Sequence, residues 1–328
     1  MANLQTTYMG IPLKNPLIAA SSGLTQSVSK IKELEAAGVG AVVLKSLFEE
    51  QINNEINHIL YNQHNTSYPE AEDYISAYTR DNSLQNYLNL IKEAKEAVNI
   101  PIIASINCID ASEWISFAKE IEAAGADALE LNVFMVPTDV HTSAEELEMV
   151  YVDLIKEVKK QVSIPIAVKI GFYFTNLVAL VNKLYANGAN AVVMFNRFYE
   201  PDIDVENLKM TSSEVFSSAT DIRRSLRWTG MITSEVPNIE ISSTTGIHDG
   251  NGVLKQLLAG AQTVQLCSTI YINGVAKVPE IIGDLDAFMD KWDYSSIDDF
   301  RGKLSYKRLK DPMLYERAQF MKYFSNRK

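Results

Sequence analysis

Four times along the chain a helix-like stretch closes on a small-residue and glycine phrase, and the apolar run that follows ends on a polar residue. The four are Ala36-Ala37-Gly38 to Lys45, Ala123-Ala124-Gly125 to Asn132, Ala186-Asn187-Gly188 to Asn196 and Leu258-Ala259-Gly260 to Ser268. Between them lie four further apolar runs introduced by proline or asparagine: Pro16 to Ser22, Pro101 to Asn107, Pro165 to Ile170 and Asn238 to Ser243. Runs such as Ala41-Val42-Val43-Leu44 are apolar on consecutive residues, the mark of strands buried on both faces of a parallel sheet. The glycine of each phrase suits a left-handed helix cap, because it has no β-carbon to oppose that conformation. Eight strands alternating with helices predict a closed (β/α)8 TIM barrel. Leu4 to Met9, Gly10 and Ile11 to Leu13 predict an N-terminal hairpin that plugs the barrel's bottom.

In a barrel of this kind chemistry sits on the loops that leave the strand C-termini. Here those ends read Ser21-Ser22, Lys45-Ser46, Asn107, Asn132, Lys169, Asn196, Ser243-Thr244-Thr245 and Ser268. Contact with solvent accounts for any one polar strand end; a ring of two ammonium groups, three amides and several hydroxyls points to a site. Three long connections leave the same face. Leu47 to Thr79, rich in Asn, Gln, Glu and Tyr, reads as a lid. Val133 to Asp139 precedes a helix from about Ala144, and Arg197 to Asp204 leads into an excursion hairpin through Met210. The segment Ser305 to Lys328, with Leu314, Phe320, Met321 and Phe324 at roughly helical spacing, reads as a docked C-terminal helical tail.

With 328 residues, 47% of them hydrophobic, the chain supports one barrel domain over residues 1–328, the barrel spanning about 16–293 and the tail about 294–328. A net charge of −11 offers no basic footprint for a nucleic-acid partner. Two cysteines, Cys108 and Cys267, are too few for a secreted disulfide framework, and no signal-peptide pattern or bilayer-length apolar run occurs. A soluble cytoplasmic protein with no membrane partner is the expectation.

His58, His64, His141 and His248 show no metal-ligand spacing, so no metal is expected. Nucleophile-elbow, Walker and Gly-x-Gly-x-x-Gly patterns are also absent from the sequence. What remains is a phosphate-shaped signal at the seventh and eighth strands. Ser243-Thr244-Thr245-Gly246 leads into a helix near Asp249 to Gly252, and Ser268-Thr269 leaves the last strand. Ser/Thr-rich turns also serve as helix caps. Lys45 and Lys169 share the mouth, and a buried ammonium needs an anionic partner. A phosphate-tailed redox ring supplies one, and a strand carboxylate such as Glu130 supplies another.

The phrase Met9 to Gly23, with Leu44-Lys45-Ser46, Leu129-Glu130-Leu131-Asn132, Ala167-Val168-Lys169, Phe195-Asn196, Thr245-Gly246-Ile247 and Tyr294 to Leu304, resembles the FMN-dependent dihydroorotate dehydrogenase family. The resemblance is to the soluble class 1 type and to dihydroorotate-dehydrogenase-like proteins carrying a phrase like Asn196 to Asp204. It implies FMN across the barrel mouth, contacted by Ala20, Ser21, Lys45, Asn107, Asn132, Lys169 and Asn196, with Thr244, Thr245, Gly246 and Ser268 on the phosphate turns. It implies a small-molecule substrate, hydride transfer at flavin N5, Lys45 and Asn132 among the catalytic groups, and a homodimer. Two departures stand out. Thr245-Gly246 replaces the family's paired glycines, and Met135 stands where class 1 enzymes carry the cysteine base. A thioether has no proton to exchange. Thr138, Asp139, His141 and Tyr199 are nearby polar residues that would have to replace it, and Asn65-Thr66-Ser67-Tyr68-Pro69 is no clear substrate phrase.

The leading expectation is therefore an FMN-dependent oxidoreductase acting on a small cyclic or carbonyl-conjugated substrate. Authentic dihydroorotate oxidation with a substitute base, a flavin-binding protein that has lost catalysis, and a flavin-free phosphate-sugar enzyme are the alternatives.

Overall fold

A computed structural model describes residues 3–62, 69–108, 111–197, 200–212 and 214–316, the backbone alone at 59–62, 69–75, 77, 111 and 112. The chain opens on an antiparallel hairpin of β1 (Thr6–Tyr8) and β2 (Ile11–Leu13). Next come β3 (Leu17–Ala19), α1 (Val28–Ala37), β4 (Ala41–Val43) and a two-residue β5 (Leu47–Phe48). The lid stretch is helical, as α2 (Glu49–Asn62) and α3 (Pro69–Ala97). In α2 Ile52 and Ile56, four apart, are buried while Gln51 and Glu55 face water, the helical spacing that an Asn- and Glu-rich composition obscures.

Strand and helix then alternate through β6 (Ile102–Asn107), α4 (Ala111–Ala123), β7 (Ala128–Asn132), α5 (Ala144–Lys159), β8 (Ile166–Ile170), α6 (Leu177–Ala186) and β9 (Ala191–Met194). The excursion hairpin is β10 (Pro201–Asp204) paired with β11 (Lys209–Ser212). After α7 (Ile222–Glu235) come β12 (Glu240–Thr244), α8 (Gly250–Ala259), β13 (Thr263–Leu266), α9 (Ser268–Asn273) and α10 (Lys277–Trp292). Short 3-10 turns at Ile297–Asp299 and Tyr306–Arg308 lead to α11 (Met313–Glu316). Phe300 docks this tail by packing on Phe288 and Tyr294. Phe320, Met321 and Phe324 of the expected tail helix lie outside the described residues.

β3, β4, β6, β7, β8, β9, β12 and β13 pair in parallel, and pairing of β4 with β6 closes the ring into the expected barrel. β5 continues β4 past Leu44-Lys45-Ser46 and pairs Phe48 with Asn107. The four repeated phrases do end helices in the left-handed region, with φ of 105°, 94°, 107° and 116° at Gly38, Gly125, Gly188 and Gly260.

Alternate strand residues face the lumen, so each strand contributes in steps of two. At the floor Ala41, Ala128, Ala167 and Ala191 are small enough to admit Tyr8, Met9 and Leu13 of the hairpin, which are all buried. Each such side chain contributes about 1.5–3 kcal/mol on removal from water. One step higher the lumen turns polar, with Ser105, Glu130, Ser242 and Gln265 fully buried. At the rim stand Asn132 and Lys169, paired in register on β7 and β8. Among the described residues no helix is long and apolar enough to cross a membrane.

Candidate active site

The polar middle layer sets the electrostatics of the mouth. Gln265 Nε2 donates to Glu130 Oε2 at 2.7 Å, and Lys169 Nζ lies 3.4 Å from Glu130 Oε1. Of the two partners named in advance for a buried lysine, the carboxylate is therefore present for Lys169. Gln265 Oε1 is buried without a hydrogen-bond partner among the described residues. It is an acceptor waiting for a donor.

Above this layer a cavity of about 450 Å³ opens, lined on its inner side by Lys169, Gln265 and Cys267. Burial pushes the Cys267 thiol up, so it remains protonated near neutral pH. Ala20 and Ser21 also line the cavity, as do Thr244, Thr245, Gly246 and Ser268. Ser21 Oγ is 3.0 Å from Ser46 Oγ, which is 2.7 Å from Ser105 Oγ, a hydroxyl chain that ties the first three barrel strands together at the mouth.

The turn after β12 is tight. Thr245 has φ of 73° and Gly246 of 77°, and a β-carbon on Gly246 would sit 2.1 Å from the Ile222 amide nitrogen. Only glycine fits there. Thr245 holds its left-handed backbone with a hydrogen bond from its hydroxyl to Phe195 O at 3.1 Å. Gly246 N–H donates to Ser217 Oγ at 3.2 Å, and Ser217 N–H donates to Ser268 Oγ at 3.0 Å.

A second chamber of about 720 Å³ shares Asn196 and Arg197 with the first. Phe48, Trp114, Val133, Phe134, Met135 and Leu154 make it mainly apolar, while Asn107, Asn132 and Asn196 stand at its inner end. Asn196 Nδ2 donates to Asn132 Oδ1 at 2.6 Å, so the two amides act as one unit. Amide pairs of this kind present one carbonyl and one N–H set outward, a complement to a ligand carbonyl or amide.

A model of the dihydroorotate dehydrogenase family matches residues 3–289. The chain belongs to the dihydroorotate dehydrogenase family. That family is one of oxidoreductases. Among its similar relatives, the catalytic subunit of dihydroorotate dehydrogenase B (NAD(+)) from Thermoplasma volcanium is 26% identical, over 92% of this chain and 98% of that protein. Dihydroorotate dehydrogenase A (fumarate) from Limosilactobacillus reuteri is 28% identical, over 88% of this chain and 94% of that protein. The same enzyme type from Lactococcus lactis is 27% identical, over 92% and 99%.

Set against the residues that the family resemblance singles out, Ala20, Ser21, Lys169, Asn196, Thr244, Thr245, Gly246 and Ser268 line the smaller cavity together. Asn107 and Asn132 line the larger one. Lys45, half-buried at the inward step above Val43, lines neither. Met135, which stands at the position of the class 1 cysteine, lines the larger chamber. Its nominated substitutes do not join it there: Thr138, Asp139 and His141 are exposed, and Asp139 accepts from His141 N–H and the Thr142 hydroxyl within its own turn. Tyr199, His64 and Asn65 to Tyr68 lie outside the described residues. Among the described residues no group of three or more His, Cys, Asp or Glu side chains could hold a metal ion.

Sequence reasoning missed Gln265, Ser217 and Arg197. The inward step between Thr263 and Cys267 would have marked Gln265. Nothing local marks Ser217, whose role depends on a loop folding back over the mouth.

Proposed function

We propose that this protein is an FMN-dependent oxidoreductase that acts on a small cyclic or carbonyl-conjugated substrate, with the cofactor in the smaller cavity and the substrate in the larger. The observation that carries the reading is the convergence of Lys169, Gln265 and Asn196 with the Thr244 to Gly246 turn and Ser268 on one cavity within the range of small-ligand sites. The donor set fits the group. A buried, unpartnered Gln265 Oε1 suits a ligand that donates hydrogen bonds, and the Ser268 hydroxyl, joined by the Gly246 N–H once it leaves Ser217 Oγ, suits a phosphate.

When bound, FMN would supply a site at ring N5 that accepts or gives hydride. Lys169 would place positive charge beside the ring's polar edge, tempered by Glu130 at 3.4 Å. The Asn132–Asn196 pair would orient the substrate's carbonyl, and Phe48, Trp114 and Phe134 would keep water from the reacting carbon. Lys45, on the inward step of its strand, would balance charge at the mouth. A homodimer in the cytoplasm, with a small molecule as substrate and neither nucleic acid nor membrane as partner, completes the reading.

Dihydroorotate, named for the relatives, would have to give up a proton at the place where this chain has Met135. General-base catalysis typically contributes about 10²–10⁴-fold. The test is single-turnover reduction of the FMN-loaded protein. Dihydroorotate should reduce Met135→Cys at least about a hundredfold faster than wild type, while a neutral cyclic enone should reoxidise the reduced wild type. Fast reduction of wild type by dihydroorotate would overturn the substrate assignment.

A further inference from the structure

Residues 214–221 cross the outer side of the smaller cavity, and Val215, Phe216 and Ser217 form part of its wall. Burial holds little of this segment: Val215 is 74% and Phe216 41% exposed, and of residues 214–221 only Ser217 is buried. The segment is held by polar contacts at its two ends and in its middle. Arg197, next to Asn196, holds both ends: it donates from Nη2 to Glu214 O at 2.7 Å and Phe216 O at 3.1 Å, and from Nε to Val215 O at 3.1 Å. Its Nη1 pairs with Asp221 at 3.2 Å. One guanidinium thus grips three successive carbonyls and one carboxylate. Between these contacts Ser217 is bound to both turns of the cavity through Gly246 N–H and Ser268 Oγ, and its hydroxyl lies 3.2 Å from His248 Nε2. Phe216 packs on Tyr271 with ring centroids 5.3 Å apart.

We propose that residues 214–221 are a strap that retains the bound cofactor, and that Arg197 is the positioning residue that holds the strap shut. The proposal rests on the flavin reading of the cavity. Its physical basis is that charge-assisted hydrogen bonds exceed neutral ones in strength, and that a strap with little buried surface has few other attachments to keep it in place. Lysine cannot substitute fully, because its ammonium is a single donor head that cannot span three carbonyls and a carboxylate from one plane. Ser217 also occupies the Gly246 amide, so a phosphate arriving at that turn exchanges places with a hydroxyl belonging to the strap. Cofactor binding and strap position are thereby linked.

The experiment compares wild type, Arg197→Ala and Arg197→Lys by two readouts: the dissociation rate of FMN followed by its fluorescence, and amide hydrogen exchange at 214–218 in the flavin-free protein. Arg197→Ala should release FMN at least about tenfold faster, a change that corresponds to the loss of one charge-assisted hydrogen bond or more. Its strap amides should exchange at least about tenfold faster while those of the barrel strands do not change, and Arg197→Lys should fall between. Release and exchange within twofold of wild type would overturn the proposal. Should Arg197→Ala not fold, Asp221→Asn, which removes the charge from one of the four contacts while leaving an acceptor, carries the same two expectations at smaller size. A wild type that takes up no FMN overturns the retention claim together with the functional reading, and strap exchange in the flavin-free variants then reports separately on the Arg197 clasp.

Discussion

Lys169 Nζ lies 3.4 Å from Glu130 Oε1, with the two side chains only 9% and 1% exposed. Each ion is the other's compensation, because removing one leaves the other buried and uncompensated. Lys169→Met should therefore lower the unfolding free energy by about 3–5 kcal/mol. Lys169→Met/Glu130→Gln should recover most of that loss, since no lone charge remains. Urea unfolding of the two single variants and the double variant reads the difference, and a double variant less stable than Lys169→Met contradicts the pairing.

The turn after β12 makes opposite predictions for its two residues. Gly246→Ala forces a β-carbon to 2.1 Å from Ile222 N and should abolish FMN binding and lower the melting temperature. Thr245→Gly relieves a left-handed backbone that costs about 1–2 kcal/mol for a residue with a β-carbon. It also loses the hydroxyl bond to Phe195 O, worth about 1 kcal/mol, and adds freedom to the unfolded chain, worth about 0.4–1 kcal/mol. These nearly cancel. Thr245→Gly should therefore melt within a few degrees of wild type while binding FMN more tightly, because no β-carbon then stands in the turn proposed to hold the phosphate. Equilibrium fluorescence titration and thermal melts check both variants.

Alkaline pH should destabilise the fold. Burial raises the phenol pKa of Tyr8 and Tyr87 well above the ordinary 10.0, with Glu130 adding to the shift in both. Burial also pushes Tyr151 up to about 12. Above pH 10 the unfolded chain releases these protons while the folded chain keeps them, so the folded state binds more protons and unfolding becomes easier as pH rises. The slope should reach about 1.4 kcal/mol per pH unit for each such phenol. Urea midpoints at pH 9, 10 and 11 test this. Stability constant over that range would mean that the phenols titrate normally.

The barrel was legible because its signals are local. A cap glycine after each of four helices and consecutive apolar residues in each strand require no knowledge of distant contacts, and Gly38, Gly125, Gly188 and Gly260 all adopt the left-handed φ that the phrase implies. The rim residues were legible for a related reason, since a strand's last inward residue must face the mouth once the barrel is granted. Lys169 and Asn132 follow from that rule, two and four residues beyond the luminal Ala167 and Ala128, whereas Asn196 does not, because Ala191 and Val193 face the lumen and the same step reaches Phe195. Partners across the lumen were not legible. Gln265 and Glu130 lie 135 residues apart and meet only because the barrel closes. The strap was invisible for a different reason. Its hold depends on Arg197 and on two turns far away in the chain, while its own exposed Val215 and Phe216 have no periodicity to mark a place in the fold.

Whether the smaller cavity is a flavin site is tested most directly by fluorescence titration of FMN with the purified, flavin-free protein. The account predicts saturable quenching at one FMN per chain, lost in Gly246→Ala and accompanied by a shifted visible absorption band. A protein that stays colourless, with FMN emission unchanged at protein concentrations up to the hundred-micromolar order at which even weak small-ligand sites fill, would contradict it.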